Sequence, residues 1–102
     1  MIECFNTRFP DYARGNIYTT EVTSYTASEN IYVICYVYTG SDKGLAVDGN
    51  TVTVTQTISG TSPRQQFSSF CGFVKKGSVL TPVNESSIPL NWIKIFGLKT
   101  IS

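Results

Sequence analysis

The stretch Ile31-Tyr32-Val33-Ile34-Cys35-Tyr36-Val37-Tyr38 decides the fold class. Its β-branched and aromatic residues fit a pleated, half-buried strand. Side chains on a strand alternate between faces, so Ile31, Val33, Cys35 and Val37 share one face and Tyr32, Ile34, Tyr36 and Tyr38 the other. Neither set suits plain water. A sandwich strand normally sends one face into the core and the other to solvent, so two apolar faces call for a second cover. The compact set suits the core between two sheets. The tyrosines suit an interface, where rings bury a large area and hydroxyls still find partners.

Working outward, apolar residues alternate or run in short blocks, and no stretch holds a helical period for three turns. The strand built on that stretch is expected over Ile31–Thr39, and further strands at Ile17–Val22, Leu45–Val47, Thr51–Ile58, Gln66–Val74, Val79–Val83 and Trp92–Leu98, with a short edge piece at Tyr25–Ala27. Turn signals separate them at 40–44, 59–63, 75–78 and 84–87. Asp48-Gly49 is the most specific, because a type I′ turn needs positive φ at both central residues, which places Val47 opposite Asn50. The last strand again has two apolar faces, with Trp92, Lys94, Phe96 and Leu98 on one side and Ile93, Ile95 and Gly97 on the other.

The segment before Asn16 contains Pro10 and no steady alternation, and reads as an N-terminal arm or linker over 1–15, followed by a β-sandwich head over 16–102. The expected fold is all-β: a jelly-roll β-sandwich of about seven to eight antiparallel strands with that arm. The abrupt start fits a distal piece of a longer protein and a naturally short chain equally.

Composition narrows the function. At 102 residues the chain holds one core, and its 15% charged residues fall below the usual ~25%. Eight Lys and Arg against seven Asp and Glu cannot build the basic field that nucleic acid requires. The absence of His removes the usual general base, the commonest metal ligand and every Ser/His or Cys/His nucleophile. No enzyme activity, cofactor or metal is expected.

Cys4, Cys35 and Cys71 have neither disulfide-framework nor zinc spacing, and Cys35 and Cys71 read as small buried hydrophobes, a bridge between them being the less favoured alternative. The candidate carboxylates Glu3, Asp11, Glu21, Glu29, Asp42, Asp48 and Glu85 share no short motif and read as solvated turn residues. Neither a secretory signal nor an apolar run of membrane-spanning length is present in the sequence given, so no membrane insertion is expected.

Five segments in order carry a resemblance: Pro10-Asp11-Tyr12-Ala13-Arg14-Gly15, then Tyr25-Thr26-Ala27-Ser28-Glu29-Asn30-Ile31-Tyr32-Val33, then Val52–Thr57 after Asp48-Gly49-Asn50, then Phe73-Val74-Lys75-Lys76-Gly77-Ser78-Val79, then Ile93-Lys94-Ile95-Phe96-Gly97-Leu98-Lys99. Their order resembles that of distal head modules of bacteriophage and prophage tail fibres, which look like tumour-necrosis-factor-type and complement-type jelly rolls. The sequence departs from that pattern at Asn30, where a turn glycine is common, and at Ser78, where Asp is frequent.

The resemblance implies a homotrimer with an aromatic, apolar inner face and a distal loop surface that binds a bacterial surface glycan or protein. The interface residues expected are Tyr32, Ile34, Tyr36, Tyr38 and Phe96, and the receptor-facing rim is expected at Ser41, Asp42, Lys43, Arg64 and Gln65. Such a protein is made in the bacterial cytoplasm and acts at the virion tail. Two other readings stand beside it. One is a monomeric carbohydrate-binding module using Tyr32, Tyr36, Tyr38 or Trp92 as a platform, and the other is a structural joint or assembly domain of a fibre.

Overall fold

A computed structural model describes residues 7–39, 42–55 and 66–101. Among the described residues eight strands occur in chain order: β1 (Thr7–Pro10), β2 (Tyr25–Thr26), β3 (Ile31–Thr39), β4 (Gly44–Val47), β5 (Asn50–Val54), β6 (Gln66–Val74), β7 (Val79–Val83) and β8 (Ile93–Ile101). They form two four-stranded antiparallel sheets, ordered β1-β8-β3-β6 and β2-β7-β4-β5. Successive strands alternate between the sheets until β4 and β5 share a hairpin, and the path then returns in the same alternation. That order is the double Greek key of a jelly roll.

The compact face of β3 fills the space between the sheets, where Ile31, Val33 and Val37 are fully buried with Ile95, Leu45 and Leu80. Each such side chain contributes about 1.5–3 kcal/mol relative to exposure. The Asp48-Gly49 turn forms as expected, with φ of 51° and 84°, and Val47 pairs with Asn50. Across the open side of the sandwich, the hydroxyls of Thr53 on β5 and Ser68 on β6 hydrogen-bond, tying the two edge strands together.

Two segments differ from the expectation. Within the segment read as an arm, Thr7–Pro10 forms a strand paired with β8. Pro10 is compatible with this because β1 is an edge strand and Pro10 ends it, so no ladder donor is lost on an inner strand. Residues 17–22 form no strand, because they carry the chain from the first sheet to the second. Backbone bonds hold the two ends, from the Ile17 N–H to the Ile95 carbonyl at 2.8 Å and from the Ile88 N–H to the Val22 carbonyl at 3.0 Å, and side chains hold the rest. The Asn16 Oδ1 accepts from the backbone N–H of Tyr18 and of Ile95, at 3.0 and 2.8 Å. The buried Tyr18 hydroxyl donates to the Ile88 carbonyl at 2.6 Å and accepts from the Val22 N–H at 3.1 Å.

Candidate interaction face

The second face of β3 is the outer surface of the first sheet, and register sets its neighbours. Tyr32 lies between Phe96 on β8 and Phe73 on β6, and Ile34 lies between Lys94 and Cys71. Tyr36 pairs with Ser69. The rings pack in two groups. At one end the Tyr32 and Phe73 centroids are 4.9 Å apart, and Tyr12 meets Phe96 edge-on at 5.0 Å. Toward the other end, Tyr36 and Phe67 are 5.9 Å apart.

The described residues supply the expected second cover only in part. Tyr12, from the 3-10 turn Tyr12–Arg14, shields Phe96 to 9% exposure. Tyr36, Phe67 and Phe73 keep 47%, 66% and 62% of their surface in solvent, and Leu90 keeps 46%. The three rings stand on one face of the first sheet, and Leu90 lies in the turn before β8. Phe67, Phe73 and Leu90 were not singled out by sequence reasoning. The alternation of β6 opposite the tyrosines of β3 was the signal for the two phenylalanines.

Two other residues stand apart from the sequence reading. Trp92 belongs to the core at 5% exposure and offers no platform. It precedes the first ladder residue of β8, within a turn where its N–H donates to the Pro89 carbonyl at 3.1 Å, so strand alternation does not govern it. Cys71 is exposed on the outer face, whereas Cys35 is buried, and both thiols are free. Burial pushes the Cys35 thiol up to about 12, while at Tyr32 burial and then the neighbouring Cys71 raise the phenol.

Of the expected rim, Asp42 and Lys43 are described and come together beyond the end of β3. Asp42 adopts a left-handed φ of 59°, and its N–H donates to the Thr55 carbonyl at 2.7 Å. The Asn84 amide donates to the Asp42 carbonyl at 2.5 Å, and Lys43 Nζ pairs with Glu85 at 3.2 Å. The loop end therefore presents Asp42, Lys43, Asn84 and Glu85 as one polar cluster. Ser41, Arg64, Gln65 and the side chain of Tyr38 lie outside the described residues.

Several carboxylates already serve the scaffold. Glu29 forms a bidentate pair with Arg14 at 2.6 and 2.9 Å, which draws the carboxyl below its usual range. Glu21 accepts from the Ser87 hydroxyl and the Leu90 N–H, each at 3.2 Å. Asp48 accepts from the Val79 N–H at 2.9 Å, and this bond followed by one from Ser78 lowers its carboxyl. Among the described residues, no three His, Cys, Asp or Glu gather as a metal site.

The sequence matches no protein-family model, and comparison with curated proteins and solved structures found no match.

Proposed function

We propose that this chain is a non-enzymatic, homotrimeric tail-fibre head that attaches to a bacterial surface glycan or protein. The observation that carries the assembly is the outer face of the first sheet, where Tyr36, Phe67 and Phe73 stay exposed beside Tyr32 and Ile34. A second copy of the chain is the occupant that such a face fits, because rings of this kind bury large areas at subunit contacts. The jelly-roll strand order supports the resemblance read from the segment order, and the polar cluster at Asp42, Lys43, Asn84 and Glu85 supplies a loop surface for a receptor.

Light scattering coupled to size exclusion, under reducing conditions and at several concentrations, tests the assembly. A mass three times 11.2 kDa that persists on dilution is expected. A stable monomer overturns the trimer. Adsorption of labelled protein to a panel of bacterial cells tests attachment, and uniform absence of binding would favour a structural joint in the fibre.

A carbohydrate-binding monomer is the second reading. It is favoured by a 250 Å³ pocket in which Tyr36 stands with Asn91 and Lys94, an aromatic ring beside groups able to bond sugar hydroxyls.

A further inference from the structure

A second pocket, of about 430 Å³, lies at the far end of the same sheet from Tyr36 and Phe67. Arg8, Asn30, Phe73, Val74, Lys75 and Leu98 line it. Its lining combines two kinds of surface. Phe73, Val74 and Leu98 supply apolar area, and the Phe73 ring is 62% exposed. The polar groups come from Arg8, Lys75 and Asn30.

Those polar groups have one chemistry in common. Arg8 and Lys75 are cations with donors only. The Asn30 Oδ1 already accepts from the Lys76 N–H at 2.8 Å, which leaves the amide NH2 as its remaining functional end. Among the described residues the cations in ion pairs are Arg14 and Lys43, and neither Arg8 nor Lys75 joins them. No acid stands among the described lining residues. Asp48, the carboxylate on which Lys75 acts, is engaged by Val79 and Ser78.

The two cations approach from opposite sides. Arg8 belongs to β1 and Lys75 follows β6, and two strands lie between them. At the usual interstrand spacing this separation is roughly 14 Å, a span across which two extended side chains of this length can reach one anion. The geometry points to a binding site for a small carboxylate carried on a ring, with the ring's flat face on Phe73 and the carboxylate among Arg8, Lys75 and the Asn30 amide. Arg8 is the principal partner because its planar fork matches a carboxylate. Acidic sugars and aromatic acids share this chemistry. The site is distinct from the loop cluster at Asp42 and Lys43; it shares the Phe73 ring with the face proposed for assembly, so in a trimer it requires a subunit contact centred on Tyr36 and Phe67 that leaves Phe73 open.

The test is titration of the intact protein followed by two-dimensional amide NMR, using glucuronate and benzoate as probes. Methyl glucoside, benzamide, acetate and inorganic phosphate serve as comparisons. The expected result is saturable shifts at Asn30, Phe73, Val74 and Lys75 with at least one ring carboxylate, and which probe binds identifies the source. Arg8→Gln and Lys75→Gln, both at exposed positions, should each weaken binding about tenfold while leaving the other resonances in place. Added salt should weaken it as well. The inference is overturned by equal binding of the neutral rings, by acetate or phosphate binding as well as the ring acids, by shifts that map elsewhere, or by no shift at millimolar probe. Mass measured on the same samples reports separately on the trimer, so either result can fail without the other.

Discussion

Cys35 and Cys71 lie on paired neighbouring strands and face opposite sides of one sheet. Cys35 pairs with Phe70 in the core layer, and Cys71 pairs with Ile34 on the outer face. A disulfide needs side chains that point toward each other, so this register forbids an internal bridge. Alkylation followed by peptide mapping should modify Cys71 without unfolding whenever the outer face is open, as in the monomeric Tyr36→Asp variant, and reach Cys35 only on unfolding, since burial also holds its thiol protonated up to about 12. Equal labelling rates, or a peptide linking the two, would contradict the register.

Tyr36→Asp should dissociate the proposed trimer to monomers. The substitution puts a carboxylate into an aromatic contact beside the Phe67 ring, and although Lys94 lines the same pocket, burying the charge there costs a desolvation that the tyrosine ring does not incur. Light scattering reads the mass, and a folded variant that stays trimeric removes Tyr36 from the interface.

Gly44→Ala should be among the most damaging single changes. Gly44 pairs with Val54 on one side and Val83 on the other, and an added Cβ would meet the Thr53 carbonyl and the Val54 Cα well inside van der Waals contact. Both obstacles are backbone, which cannot step aside. A loss of about 3 kcal/mol or more in denaturant unfolding is expected.

Tyr18→Phe tests the link between the sheets. Removing the hydroxyl leaves the Ile88 carbonyl and the Val22 N–H without this partner, at a cost of about 1–3 kcal/mol. The wild-type phenol is raised above its ordinary 10.0, chiefly by burial. Its contribution is therefore complete below about pH 10 and lost as pH rises through the folded value. The Phe variant should show a shallower alkaline limb in a stability–pH profile, and an identical limb would remove Tyr18 as its cause.

Asp48→Asn probes the acid side. Asp48 sits at φ 51°, a conformation that Asn also tolerates, so the turn survives the change. The carboxyl is lowered from 3.8 by the Val79 N–H and then Ser78. Its contribution is present above the unfolded value and lost as pH falls through the folded one. The variant should be less stable than wild type at pH 7 and lose less stability on acidification. Parallel acid limbs would show that the charge on Asp48 contributes nothing.

Sequence alone determined the β class, the division of β3 into a compact face and an aromatic face, and the Asp48-Gly49 hairpin. These rest on local rules: side chains alternate along a strand, and two positive φ values demand particular residues at a turn. Strands β3, β6 and β7 accordingly span the residues expected of them, Ile31–Thr39, Gln66–Val74 and Val79–Val83. Tertiary structure decided the rest. Thr7–Pro10 became a strand because β8 offered an unpaired edge, and residues 17–22 did not because their path crosses between sheets. Cys71 came to the outer face through its register with Ile34, and Trp92 turned inward from a position just before its ladder begins. The pocket of Arg8, Asn30, Phe73 and Lys75 was beyond sequence reasoning for the same reason. Its residues come from stretches far apart along the chain, around Arg8, around Asn30 and over 73–75, and only the pairing of β1, β8, β3 and β6 sets those stretches side by side.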